Sequence, residues 1–330
     1  MTTEFVHDNL HQEMIEWASQ HLSSHGYTLK SRRPEPVLNT PWSCIARFAT
    51  SDGAIYLKHT PALLALEASI IQILHDKFHA SVPTVIAHNT ALHCFLMKDA
   101  GRPLREILKQ QFDTGLFCKA IDQFTSLQLA TVEHLNVFLD IGVPDWRLDK
   151  LPDLYQELLS QEEILMEDGL SEIDIIQLRA LFPKVFSLCE KLSDYPIKQT
   201  IVQPDFNDNN TLIDDITQRI IMIDLGEIVI SHPFFSLVNC LQQIKKHHGL
   251  TVADEPYSRI MEACLKNYMN AASKKQVLDA FEIAEILWFV YWSLANYRLR
   301  LACDKARLMS FQMHGKLSDP LKAFITACRC

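Results

Sequence analysis

Glycine is scarce in this chain, with 9 in 330 residues. Few positions can take the left-handed backbone that tight turns need, so a helix-rich protein is expected. Basic excess is lacking too: 31 Lys and Arg stand against 40 Asp and Glu, for a net charge of −9. That balance argues against a nucleic-acid footprint. It is compatible with a cationic small substrate, although solubility alone explains it. The nine cysteines are scattered singly with no C-x-x-C, which argues against a zinc knuckle. The opening "MTTEFVHDNL" has no apolar signal core. Free thiols without a signal lead us to expect a reducing cytoplasm. No hydrophobic run can cross a bilayer: the longest, "IAEILWFVYWSLA" (283–295), is too short and contains Glu285.

What remains is ordinary for a globular protein, 48% hydrophobic and 22% charged, with length for two domains or one large bilobal one. Apolar residues at three- and four-residue steps predict a helix over 3–24, through Phe5, Leu10, Met14, Ile15, Trp17, Ala18 and Leu22. "WSCIARFAT" and "GAIYLKHT" then read as an antiparallel hairpin around "SDG". A helix is expected to follow, capped by Thr60 with Pro61 at its first position. "TVIAHN" and "HCFLMK" form a second hairpin, and "DAGRPL" interrupts the pattern. Beyond it, helical periodicity covers 103–113, 116–139, 150–165, 171–194 and most of 233–330. The exception is 199–230, where "TLID" and "RIIMID" flank "DITQ" as a hairpin. A small β-rich part with one helix, residues 1–97, thus precedes a large helical part, 98–330, with the joint at 97–102.

The stretch "IVQPDFNDNNTLIDD" (201–215) packs three Asn and two Asp into six positions between two strand-like pieces. Lys58 ends an apolar strand, Glu67 lies on the following helix, and Asp224 ends "IIMID" before "LGE". A Lys in a strand and an Asp closing an apolar strand cost stability unless partnered. The 211–224 hairpin brings Asp224 back beside Asp205 and Asn210.

This set resembles the protein-kinase-like phosphotransferases, most closely the aminoglycoside phosphotransferase (small-molecule kinase) family. The loop Gln203-Pro204-Asp205-Phe206-Asn207-Asp208-Asn209-Asn210 has the family's Asp and Asn at its spacing. "IDLGE" is similar to its metal motif, "LALEASIIQIL" to its Glu-bearing helix, and "FLMKDAGRPLREIL" to its hinge. The resemblance spans residues 35 to 240 in order. It implies an α+β bilobal fold, a small antiparallel β-sheet lobe with one helix and a large mainly helical lobe. It further implies that Lys58, held by Glu67, meets the phosphates of ATP, with Ser43 and Met97 also at the nucleotide. Asn210 and Asp224 would ligate Mg²⁺ and Asp205 would take the acceptor's proton. Phosphoryl transfer asks for such positioning and charge compensation.

Three features depart from the family pattern: the Gln203-Pro204 pair, the nucleotide turn and Ser236. Gln203 stands where the family has His, and Pro204 follows it in place of Gly. Gln can still donate to a backbone carbonyl. The nucleotide turn "VLNTPWSC" (37–44) contains no Gly, so Asn39, Thr40 and Ser43 would have to supply side-chain donors. Ser236 replaces an Asp found in many relatives. Asn207, Asp208 and Asn209 read as residues that favour a turn and solvent.

The expected acceptor is a small hydroxylated molecule. Trp288 and Trp292, with Glu282 and Glu285 on the same helix, could hold a cationic one, although plain aromatic packing also explains them. A monomer or weak dimer is expected, binding neither nucleic acid nor membrane. The competing reading is a catalytically weak kinase-like binding or regulatory protein.

Overall fold

The computed structural model describes residues 2–31, 33–311 and 313–329, with side chains from Gln12 onward. Phe5 and Leu10 therefore lie outside the described side chains. The chain opens with α1 (Thr2–Ser24), followed by β1 (Glu35–Asn39), β2 (Cys44–Thr50), β3 (Gly53–His59), α2 (Glu67–Phe78), β4 (Val85–Asn89) and β5 (Cys94–Lys98). These strands form one antiparallel sheet in the order β1-β2-β3-β5-β4. The β2–β3 hairpin turns at Ser51-Asp52, where Gly53 takes a φ of +113° and its carbonyl accepts from Thr50 Oγ1 at 2.7 Å. Met14, Ala18 and Leu22 of α1 pack on Phe48, Ile55, Leu57 and Leu96 of the sheet, a separate apolar cluster. This covers the alternate side chains that a two-faced sheet must bury.

The rest is mainly helical. In order come β6 (Arg102–Pro103), α3 (Leu104–Gln110), α4 (Thr114–Thr131), α5 (Asn136–Leu139), α6 (Leu151–Ser160), α7 (Glu162–Glu167), α8 (Glu172–Ala180) and α9 (Phe182–Ser193). Then β7 (Thr200–Val202), β8 (Thr211–Ile213), β9 (Ile220–Met222) and β10 (Val229–Ser231) precede α10 (Phe234–His248), α11 (Glu255–Leu265), α12 (Lys274–Ala302), α13 (Lys305–Met309) and α14 (Ser318–Ala327). The 29-residue α12 starts on a capping box, Ser273 with Gln276, and runs through the large core that Phe234, Phe281, Leu287 and Tyr291 share. Among the described residues no helix is long and apolar enough to cross a membrane.

Several boundaries differ from the periodicity. The segment after β3 does not enter its helix at Pro61. A 3₁₀ turn, Ala62–Leu64, intervenes, Thr60 makes no cap, and Glu67 becomes the first residue of α2. The expected 171–194 helix is two, because Pro183 starts α9 afresh. Two small sheets rather than one lie in the helical part: β6-β8-β9 and the pair β7-β10. Gly101, at φ +106°, passes so close to β8 that an added Cβ would lie 2.0 Å from the Ile213 carbonyl oxygen. Only glycine allows that approach.

Candidate active site

Lys58 lies on β3, the central strand of the sheet, and is buried. Its Nζ is 2.7 Å from Glu67 Oε2 and 2.5 Å from Asp224 Oδ1, with the Lys58 and Glu67 side chains almost fully buried. Burial works against the charged ammonium, but the two carboxylates outweigh it and hold Lys58 above the usual lysine range. Burial pushes Glu67 upward, opposed by Lys58. Glu67 also accepts from the Leu225 amide at 3.1 Å, which ties α2 to the segment after β9. Gly226 is needed there: a Cβ on it would come within 2.8 Å of the Leu64 carbonyl oxygen.

The β8–β9 hairpin does return the chain to its start. Ile223 donates to the Asn210 carbonyl at 3.0 Å, and Asp224 comes next in the left-handed region at φ 62°, ψ 48°. That conformation is tolerated by Asp and turns the carboxylate out of the hairpin. Asn210 Nδ2 donates to the Asp205 carbonyl at 2.8 Å and to Asp205 Oδ2 at 3.0 Å. Burial, then the nearby Asp224 charge, push Asp205 up to about 6.

Gln203 keeps the supporting role: Nε2 donates to the carbonyls of Ile223 at 2.9 Å and Asp224 at 3.0 Å. Ser236 Oγ accepts from the Gln203 amide at 3.0 Å and donates to its carbonyl at 2.8 Å. The hydroxyl thus fixes the loop's entry. Phe206 anchors the loop by stacking on Phe124, ring centroids 3.8 Å apart.

A cavity of about 230 Å³ opens beside Asp205 and Asp224, lined also by Trp42, Glu227, Trp292 and Lys316 among others. Trp42 comes from the glycine-free turn, so that turn overhangs the carboxylates. β1 extends to Asn39, which shortens the turn itself to Thr40–Ser43. Thr40 Oγ1 is spent on Ser43, donating to its carbonyl and accepting from its amide, both at 3.0 Å. Asn39 Oδ1 accepts from Arg307 at 2.7 Å. Ser43 Oγ is the buried hydroxyl of the turn left without a hydrogen-bond partner. Met97 is half-buried on β5, against the large core, and does not line this cavity.

No family model matches the chain, and no curated protein matches its sequence. Solved structures do match in shape. An ethanolamine kinase from Plasmodium vivax superposes with a TM-score of 0.60 at 12% identity, covering 88% of this chain and 81% of its own. A choline kinase from Streptococcus pneumoniae gives 0.58 at 13%, covering 96% and 99%. An amicoumacin kinase in complex with AMP-PNP, Ca²⁺ and Ami gives 0.59 at 16%, covering 91% and 90%. The chain has the protein-kinase-like fold of the small-molecule phosphotransferases.

Within that phosphotransferase fold, the structure corrects the reading of the polar loop. Asn207 and Asp208 are buried and do not face solvent. Asp208 is gripped by Arg105, Nε at 2.9 Å, and by His248 Nε2 at 2.6 Å. Asn207 accepts from Arg105 at 2.9 Å and donates to Asp205 Oδ1 at 2.9 Å. Arg105 and His248 come from α3 and α10, 103 and 40 residues from Asp208, and no local pattern links them. Asn239, which donates to the Phe206 carbonyl at 3.3 Å, was equally hidden.

The aromatic helix is also corrected. Trp292 lines the cavity, whereas Trp288 is packed away and stacks on it at 5.6 Å. Glu282 and Glu285 do not line it. Glu285 shares a face with Trp292 but lies about 10 Å further down the helix axis, where Lys245 attends it. The glutamate at the cavity, beside Asp205 and Asp224, is Glu227 from the "LGE" turn. Burial, then Asp224 and Asp205, push it up to about 8 against the pull of Arg298.

The donor set fits a hard divalent cation. With its amide nitrogen committed to Asp205, Asn210 has its Oδ1 left for a metal. Asp224 has its second carboxylate oxygen, on a side chain 42% exposed. Two such protein oxygens, completed by phosphate oxygens and water, are how Mg²⁺ is usually bound at phosphoryl-transfer sites.

Proposed function

We propose that the chain is an ATP- and Mg²⁺-dependent phosphotransferase that phosphorylates a hydroxyl of a small molecule. Residues 1–97 would hold the nucleotide and 98–330 the acceptor. One observation carries the reading: in a kinase-like fold the buried Lys58–Glu67 pair is bonded to Asp224, Asn210 is bonded to Asp205, and Asp224 and Asp205 line one cavity. A lone Lys–Glu pair has many structural uses. A buried pair bonded to a carboxylate at a cavity mouth, beside an acid raised toward neutrality, fits phosphoryl transfer.

In this reading Lys58 releases Asp224 and turns to the phosphates. Asp224 and Asn210 would hold Mg²⁺, which supplies charge neutralisation on the phosphate oxygens when bound. Asp205 orients the acceptor hydroxyl and takes its proton, while Asn207 and Asn210 fix the direction of its carboxylate. Gln203 and Ser236 keep the loop in register with Asp224. Ser43 Oγ and the Met97 strand would border the nucleotide. Neighbours in shape include kinases of ethanolamine and choline, and here Glu227 with the Trp292 and Trp42 rings could receive an ammonium group. We therefore favour a cationic acceptor.

Binding of Mg·ATP is the first test. At a hundred times Kd it should add about 2.7 kcal/mol of stability, read as a rise in melting temperature that Asp224→Ala abolishes while the variant still folds. Equal stabilisation of wild type and variant would remove the metal assignment.

A further inference from the structure

Backbone amides of a glycine-rich turn normally approach the phosphates of a bound nucleotide. In the glycine-free turn here the Thr40 and Ser43 amides and the Thr40 hydroxyl are already bonded within the turn. The cavity beneath it holds Asp205, Asp224 and Glu227, and Lys58 is already shared by two carboxylates. A polyanionic nucleotide needs further positive charge there.

The segment between α12 and α14 supplies two cations. Arg307 on α13 crosses to the turn, donating through Nη2 to Asn39 Oδ1 at 2.7 Å and to the Thr40 carbonyl at 2.8 Å. Phe311 packs edge-on against Trp42 at 5.4 Å. Arg307 has no carboxylate partner among the described residues. Lys316 lines the cavity with Asp205 and Asp224, and its ammonium has no hydrogen-bond or ion-pair partner among the described residues.

Lys316 does not ride on a loose loop. Buried Asp168 accepts from the amides of Leu317 at 2.8 Å and Ser318 at 2.9 Å, and its carbonyl accepts from Gly315 at 3.2 Å. Arg300 holds the other Asp168 oxygen at 3.2 Å. Gly315 takes φ +84°, and a Cβ there would sit 2.7 Å from Asp319 Oδ2. The backbone on both sides of Lys316 is thus fixed by one carboxylate and by a turn that demands glycine.

We propose that Lys316 contacts the transferred phosphoryl group, and that Arg307 is a positioning residue that latches the glycine-free turn over it. The C-terminal segment thereby takes over work that a glycine-rich turn does from the N-terminal side. The proposal rests on the kinase reading but addresses residues that reading does not use. It predicts a division of labour. A cation aimed at the terminal phosphate distinguishes ATP from ADP, whereas a latch on the turn affects both.

The test is calorimetric titration of the full chain with Mg·ADP and with Mg·AMP-PNP, so no acceptor is needed. Lys316→Gln should weaken AMP-PNP about tenfold, the worth of one charge-assisted contact, and leave ADP within about twofold. Lys316→Arg should restore most of the difference. Arg307→Gln should weaken both nucleotides by a similar factor. Melting temperatures without nucleotide, unchanged for the exposed Lys316, confirm folding. A Lys316→Gln variant that binds both nucleotides as wild type does, or loses both equally, overturns the phosphoryl contact. Wild-type affinity for both nucleotides in Arg307→Gln overturns the latch. Wild type that binds neither nucleotide overturns the kinase reading along with the proposal.

Discussion

Replacing Lys58 with Met keeps the stem and removes the charge, and the burial of its two partners sets the cost. The Glu67 side chain is 3% exposed and loses its ammonium partner at 2.7 Å, keeping only the Leu225 amide. Asp224, 42% exposed, can turn to water. The cost therefore falls on Glu67. Removing one member of a buried ion pair costs about 3–5 kcal/mol, and that is expected at pH 8. Glu67 is already raised by burial, and losing Lys58 raises it further. An acid whose folded pKa exceeds its unfolded value holds its proton more tightly when folded, so stability recovers as pH falls through the folded pKa. The Lys58→Met deficit should thus shrink toward pH 5, and Lys58→Met with Glu67→Gln should regain most of it at pH 8. Urea unfolding followed by the fluorescence of the five tryptophans measures all three. A single variant as stable as wild type at pH 8 would show that buried Glu67 does not depend on Lys58. A deficit that neither low pH nor the second substitution repairs would show that the cost does not fall on Glu67.

Other outcomes rest on single distances and charges. Gly101→Ala places a Cβ 2.0 Å from a carbonyl oxygen at φ +106°, so it should destabilise by at least about 3 kcal/mol or fail to fold, judged by melting temperature. Glu227, raised to about 8 among Asp224, Asp205, Arg298 and Lys58, makes folding less favourable as pH rises from the unfolded glutamate value to about 8. Glu227→Gln should flatten that slope; screening at the cavity mouth keeps the gain at pH 8.5 to roughly 1–3 kcal/mol. With Asp205 raised to about 6, its base form is lost below that pH, so kcat/KM should fall on the acid side of about pH 6 and Asp205→Asn should erase that limb.

The parts legible in the sequence were those whose meaning lies in order and element type. Lys58 on a strand, Glu67 on the next helix, then Asp205, Asn210 and Asp224 around a hairpin could be read because a hairpin must return to its start. Gln203 was legible by chemistry, since an amide can donate where imidazole does. Asp208 was not: its partners Arg105 and His248 come from distant helices, so a charged loop residue looked solvated until folding buried it. Periodicity named the α12 face but not the height along it, which exchanged Glu285 for Glu227 as the cavity's acid. The Ala62–Leu64 turn hid the start of α2, because Pro61 is as compatible with a 3₁₀ turn as with a helix. Lys316 carried no local signal, because its place depends on Asp168, nearly 150 residues earlier.

Acceptor-dependent phosphoryl transfer with Asp205 as base is decided by ADP release from Mg·ATP across a panel of small hydroxylated amines and sugars, wild type against Asp205→Asn. Wild type should release ADP only with a fitting acceptor. Asp205→Asn, keeping the shape of the loop, should bind nucleotide normally and lose about 10²–10⁴-fold in rate. No acceptor-dependent release from a wild type that binds Mg·ATP would rule out the transfer, and a variant turning over at the wild-type rate would rule out Asp205 as its base.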